Sequence, residues 1–274
     1  MNNIDQALLQ LKRNHNQISQ NQANYYNDRR DAQHTKRYYR KLHLPKNNRH
    51  QAFLYLHRLV RRTHKTQLPY FMSKDDYLYT WVDLQPDGTI KNIYSGESKD
   101  PTRLIADDYE AQHSPQAHVG TEHAKFNAEH IVPQSWFGAR EPMKGDLHHL
   151  FACDPKCNRS RSNFPYKDFS FYEPESPNEP IRNHCGLAFN DYFEPEYGKG
   201  TVARAMLYFI TRYPNEIKSL YSKRINIHLL RKWNTQFPPD MYEKHRNQAI
   251  YLIQGNRNPF IDYPKWADRV FFPL

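Results

Sequence analysis

NAEHIVPQSWFG at residues 127–138 and DLHHLFACDPKCNRSRSNFP at residues 146–165 decide the reading of this chain. Neighbouring residues of a regular strand face opposite sides. Glu129 and His130 can therefore meet at one site only where a strand ends and the chain bends. Pro133, with no amide hydrogen to give to a ladder, fits such an end. In the second stretch a strand over DLHHL would put Asp146 and His148 on one face, and Leu147 and His149 on the other. A helix beginning near Asn158 would carry Asn158, Arg161 and Ser162 on one side. The expected order is strand, loop, strand and short helix, with His130 on the first strand and Asn158 on the helix.

These residue types match one chemistry. The Glu129 carboxylate and the Asn158 amide oxygen are hard donors, and Mg2+ needs only one or two such protein ligands while keeping several waters. Mn2+ is expected to substitute, because the donors are oxygens. A neutral histidine, with an unperturbed pKa of roughly 6.5, can take a proton from an attacking water, and His130 is the candidate base. Arg161 is placed to meet a phosphate oxygen, and Arg159, two residues earlier, could do the same. Asp146, His148 and His149 read as residues that orient the others. His123 lacks an HExxH companion, so a zinc-protease reading fails.

Working outward, the charge balance agrees. Lys and Arg outnumber Asp and Glu by 39 to 29, a formal +10, which points to polyanionic partners and says nothing of fold. Plentiful Tyr and Phe could stack on unpaired bases, though most are expected in the core. No stretch is long enough to cross a bilayer, and MNNIDQALLQLKRNHNQ has no signal-peptide core, so the chain as written reads as cytoplasmic. Three cysteines, Cys153, Cys157 and Cys185, do not suggest a disulfide framework. Three ordinary thiols are expected, with a structural Zn2+ at these positions as the alternative. No feature of the sequence specifies an oligomeric state.

The class is α+β, with more helix than strand. Residues 1–66 form a basic, Gln/Asn-rich helical extension, read either as a nucleic-acid-binding arm or as a solvated helical face. Residues 67–274 form the second domain. Within it, YLYTWVDLQ alternates, PDG is a turn and TIKNIYSG alternates again, the signal of a β-hairpin. Residues 99–125 read as irregular with at most a short helix, and FYEPESPNEP as loop. TVARAMLYFITRYP, INIHLLRKWNTQF and PDMYEKHRNQAIYLIQG read as helices, the last closed by Gly255. Asn256, Arg257 and Asn258 then form either a loop lining the cleft, with Arg257 touching substrate, or a turn that satisfies its own backbone.

The segment 127–165 resembles the ββα-metal (His-Me) finger of the endonuclease I family of non-specific nucleases. YTWVDLQPDGTIKNIYSG, GTVARAMLYFITRY and QGNRNPFID extend the resemblance over roughly residues 75–263. It implies such a finger embedded in a mixed, mainly helical core with a β-hairpin. It also implies a one-metal enzyme that hydrolyses DNA and RNA with little sequence preference and leaves 5′-phosphates, with His130 as general base, Glu129 and Asn158 on Mg2+, and Arg161 as the arginine of the RSN segment. Members are often secreted or periplasmic, unlike this chain as written. Two alternatives stand beside this reading: a non-catalytic nucleic-acid-binding protein on a nuclease scaffold, and a structure-selective nuclease restricted by the basic N-terminal region.

Overall fold

Side-chain caps and buried apolar stripes set where the helices begin and what they cover. The computed structural model describes residues 3–113, 127–173 and 184–274. Helix α1 (Asn3–Gln20) is followed by α2 (Asp28–Tyr39) and α3 (Arg49–Thr63), whose first turns are capped by the Asn27 and Asn48 side chains. Such caps satisfy amides that the helix itself leaves open. Helix α4 (Tyr70–Met72) runs into a wide, π-type helical stretch over Ser73–Val82, closed by a bond from the Asp83 amide to the Leu78 carbonyl. Strands β1 (Ile90–Lys91) and β2 (Ser98–Lys99) pair antiparallel, and α5 spans Pro101–His113.

Strand β3 (Asn127–His130) comes next, then α6 (Gln134–Phe137), β4 (Leu150–Cys153) and α7 (Pro155–Arg161). β3 and β4 pair antiparallel, with Glu129 opposite Phe151 and His130 opposite Leu150. Strands β5 (Gly186–Phe189) and β6 (Tyr192–Pro195) form a third antiparallel pair. The remainder is helical: α8 (Lys199–Arg212), α9 (Ser219–Ser222), α10 (Ile227–Gln236), α11 (Met241–Gln254) and α12 (Pro259–Asp262). Helix α11 starts under the Asp240 cap and stops at Gly255, whose φ of 89° is readily adopted only by glycine. Helices with small antiparallel strand pairs make this a mixed α+β fold, as expected.

Two apolar clusters meet at the β3–β4 pair. One gathers around α8, with Phe53 and Leu56 of α3, Trp136, Phe137, Trp233 and Phe260. The other holds Leu11, Ile18, Tyr25, Leu78, Val82, Leu104 and Ile250. β4 lies between them: Phe151 and Cys153 enter the first cluster, and Leu150 and Ala152 the second. A strand buried on both faces needs apolar residues at every position, and LFAC supplies them.

Several local expectations are corrected. The alternation of YLYTWVDLQ is helical, because Leu78, Tyr79 and Val82 are all buried and the segment is covered on more than one side. The turn around Gly88 exists, closed by bonds from the Gln85 amide to the Thr89 carbonyl and from the Gly88 amide to the Gln85 carbonyl, but the hairpin proper lies one step later, at β1 and β2. Leu147–His149 is a tight 3₁₀ turn under an Asp146 cap, and the strand begins only at Leu150. Helix α7 begins at Pro155, three residues before Asn158, and ends before Ser162, whose φ is positive. Residues 101–113, read as irregular with at most a short helix, form a helix of 13 residues; 114–126, with His123, and 174–183 lie outside the described residues.

Cys157 and Cys185 form a disulfide, leaving Cys153 free and buried. This overturns both the three thiols and the Zn2+ site, since two of the three sulfurs are bonded to each other. Among the described residues no helix is long and apolar enough to cross a membrane.

Candidate active site

Glu129 and His130 end β3 with different neighbours. Glu129 is 4% exposed. Its Oε1 accepts the Tyr94 hydroxyl at 2.7 Å and pairs with Arg161 Nη1 at 3.2 Å. The Tyr94 and Tyr166 hydroxyls lie 3.0 Å apart. Burial raises the pKa of Glu129, while Arg161 and the Tyr94 hydrogen bond oppose that rise. Arg161 is itself fully buried at the end of α7. It donates to the carbonyls of Ile131 and His130, at 2.5 and 3.4 Å. One guanidinium therefore joins α7 to the end of β3 and sets a positive charge against the Glu129 carboxylate.

His130 is held through its ring. Its Nε2 lies 2.9 Å from the Lys144 carbonyl and its Nδ1 is 3.3 Å from the Gln134 amide nitrogen. A carbonyl can only accept, so Nε2 carries the hydrogen and Nδ1 keeps its lone pair. Burial pushes the His130 pKa well below its ordinary value, and the adjacent His149 pushes the same way. The neutral ring, with Nδ1 free of a proton, is the stable form at neutral pH.

The loop that presents the Lys144 carbonyl is braced. Glu141 accepts the amides of Tyr70 and Gly145, each at 2.8 Å. Gly145 sits against the Leu68 carbonyl so closely that any Cβ would collide with backbone. The Trp136 indole donates to the Asn163 carbonyl at 3.0 Å, tying α6 to the chain beyond α7.

Asp146 anchors the start of the turn before β4 to the helical core. It accepts the Tyr208 and Tyr213 hydroxyls at 2.7 and 3.0 Å, the Gln254 amide at 3.0 Å and the His148 backbone amide at 3.0 Å. His64 stands 3.7 Å away. Burial alone would raise the Asp146 pKa; the histidines around it and the Gln254 hydrogen bond instead hold it well below the usual carboxylate range. His148 lies against Tyr208, and burial lowers its pKa to about 4 against the pull of Asp146. His149 Nε2 meets the Met143 carbonyl at 2.5 Å, and its ring lies 5.4 Å from that of His130.

Asn158 stands on α7 one turn before Arg161 and is partly exposed; Arg159 beside it is exposed. Arg257 has a different setting from the cleft position read in the sequence. It is fully buried, with Nε and Nη2 on Asp262 at 2.8 and 2.7 Å and Nη1 paired with Asp31 at 2.9 Å. Asn256 donates to the Tyr208 hydroxyl, and Asn258 caps α12. This loop braces α2 and α12 internally. Sequence reasoning missed Tyr94, Tyr166, Lys144, Gln134, His64, Tyr208, Tyr213 and Gln254. Tyr94 lies in the NIYSG part of the resemblance; Lys144 acts through its carbonyl, which no residue type could signal.

The family model of endonuclease I matches residues 54–265. An extracellular ribonuclease of Bacillus amyloliquefaciens is 36% identical over 162 residues, 53% of this chain and 54% of that protein. An extracellular deoxyribonuclease of Aeromonas hydrophila is 29% identical over 160 residues, 51% of this chain and 66% of its own. A periplasmic deoxyribonuclease of the same organism is 29% identical over 160 residues, covering 51% and 64%. The matched segment spans about half the length of the first of these relatives.

Proposed function

The chain belongs to the endonuclease I family, and on that premise we propose that it is a Mg2+-dependent endonuclease. It would hydrolyse phosphodiester bonds of DNA and RNA with little sequence preference and leave 5′-phosphates. Relatives named as ribonuclease and as deoxyribonuclease support a substrate range that includes both polymers. The observation that carries the reading is the bond between His130 Nε2 and the Lys144 carbonyl, which directs the lone pair of Nδ1 toward the base role.

In this mechanism His130 Nδ1 takes the proton of the attacking water. The Lys144 carbonyl holds the ring, burial keeps it neutral, and the Gln134 amide, 3.3 Å from Nδ1, gives way when the water comes to that lone pair. Glu129 and Asn158 fit Mg2+ by donor type, a carboxylate and an amide oxygen. When bound, the ion would offset charge on the phosphoryl and leaving oxygens. Arg161 favours the ionised Glu129 that a hard cation requires, and so would act through Glu129. Arg159, exposed beside Asn158, is the better placed of the two arginines for a substrate phosphate.

Location follows the same reasoning. Disulfides persist in oxidising compartments, and Cys157–Cys185 together with extracellular and periplasmic relatives supports a working site outside the cytoplasm.

The test is a Mg2+ titration of metal-stripped protein on plasmid DNA and on single-stranded RNA. Glu129→Gln and Asn158→Ala should each raise the half-saturating Mg2+ by at least about 10-fold, and the products should carry 5′-phosphates. Unchanged Mg2+ dependence in both variants would overturn the ligand assignment.

A further inference from the structure

We propose that the concave face between the end of α2 and the outer side of α3 is a second groove for the phosphodiester backbone of a nucleic-acid strand, separate from the residues that carry the chemistry. The cavity there measures about 1140 Å³. Arg37, Arg40 and Lys41 line it from the end of α2 and the turn after it. Arg58, Arg61 and Arg62 line it from one face of α3, with Lys65 just beyond. All seven are exposed. No acidic residue lines the cavity, and among the described residues no carboxylate forms an ion pair with any of the seven. The formal excess of the whole chain is +10, so seven unopposed cations on one concave face concentrate positive potential there, and a cleft focuses that field further.

The opposite arrangement is used elsewhere in the same region. Arg257 and Arg204, both buried, are matched by Asp31, Asp262 and Glu243. The cations of the groove are left for an external anion. Half-buried Tyr55 and Tyr251 form part of its wall, which suits stacking of unpaired bases. A bilayer could not reach the recessed floor, where Leu59 is buried. None of Glu129, His130 or Asn158 lines the cavity. A strand held here would stay near the enzyme between cuts, through its backbone and base faces and not its base edges, as a nuclease without sequence preference needs. Only the identity of the polyanion rests on the nuclease reading above.

The experiment uses the full chain and a labelled single-stranded phosphorothioate oligonucleotide, followed by fluorescence anisotropy across a salt titration. The variant is Arg58→Gln/Arg61→Gln/Arg62→Gln; a control, Lys12→Gln/Arg13→Gln/Lys244→Gln, removes the same charge from exposed positions outside the groove. The groove variant should lower the slope of log affinity against log salt by about 2, from three phosphate contacts at roughly 0.7 each. The control should keep the slope. On cleavable substrates the groove variant should raise KM for long polymer and leave hydrolysis of bis(para-nitrophenyl) phosphate unchanged. Equal slopes for the two variants would overturn the proposal, as would binding of phosphatidylserine vesicles in place of oligonucleotide. Salt-sensitive binding that depends on the groove, in a protein that cuts nothing, would support the groove and refute the nuclease reading.

Discussion

Replacing Arg161 by methionine strands a buried carboxylate. Arg161 and Glu129 side chains are 1% and 5% exposed and 3.2 Å apart. Removing one partner of such a pair costs about 3–5 kcal/mol, because the remaining charge is left in a poorly polarisable interior. Two carbonyls, of His130 and Ile131, also lose their donor. For a chain of this size the loss should lower Tm by roughly 10 °C. The diagnostic step is the double variant Arg161→Met/Glu129→Gln, in which the stranded charge is gone and only the neutral hydrogen bonds are disturbed. Urea denaturation of wild type, both single variants and the double variant gives the coupling energy, provided the m-values agree. Contacting buried charges should couple by about 1–3 kcal/mol, toward the upper end of the usual range because neither group is hydrated. Additive effects within about 0.5 kcal/mol would show that Arg161 does not stabilise the Glu129 carboxylate, and the electrostatic reasoning would fail.

Other outcomes follow from the same structure. His64, His130, His148, His149 and His245 all have pKa values lowered by burial. The unfolded chain therefore binds protons below about pH 6.5 that the folded one refuses, each site removing up to about 1.4 kcal/mol of stability per pH unit. Tm should hold above that pH and fall steeply below it, while the acid limb of activity lies under the ordinary histidine range; a flat Tm down to pH 5 would contradict the burial. Reducing Cys157–Cys185, which spans 28 residues, should cost about 3.5 kcal/mol by the chain-entropy relation. Because Cys157 adjoins Asn158 on α7, reduction should also raise the half-saturating Mg2+; a Cys185→Ser variant with wild-type Tm and Mg2+ response would refute this. Deleting residues 1–66 should abolish cooperative unfolding. Leu11, Ile18, Tyr25, Ala52, Phe53 and Leu56 are buried in the two cores, and their loss exceeds a typical stability of about 5–15 kcal/mol. A stable, active remnant would show that the first 66 residues are an appendage.

The order of β3, β4 and α7 was legible because Glu129, His130 and Asn158 appear in a fixed order with turn residues between them. Glu129, His130 and a helix carrying Asn158 and Arg161 could be found from spacing and turn chemistry alone. Local periodicity failed where burial is two-sided. YLYTWVDLQ alternates by composition, yet Leu78, Tyr79 and Val82 are buried together on a helical segment. DLHH looked like strand, but the Asp146 carboxylate caps the His148 amide and tightens the chain into a turn. The N-terminal region read as a basic extension, yet Leu11, Ile18 and Tyr25 enter one core, and Asn14 bonds to the Thr80 carbonyl, Tyr25 to the Leu84 carbonyl and Asp31 to Arg257, ties to distant residues that local composition does not show. The disulfide was missed because pairing depends on distance in the fold, which an odd cysteine count does not encode.

The most direct test incubates the purified protein with plasmid DNA and with single-stranded RNA, in Mg2+ and in EDTA, beside His130→Ala. Degradation of both polymers in Mg2+, lost in EDTA and in His130→Ala while circular dichroism shows the variant folded, is the expected result. Cleavage at wild-type rate by a folded His130→Ala would contradict the assignment of His130 as the base.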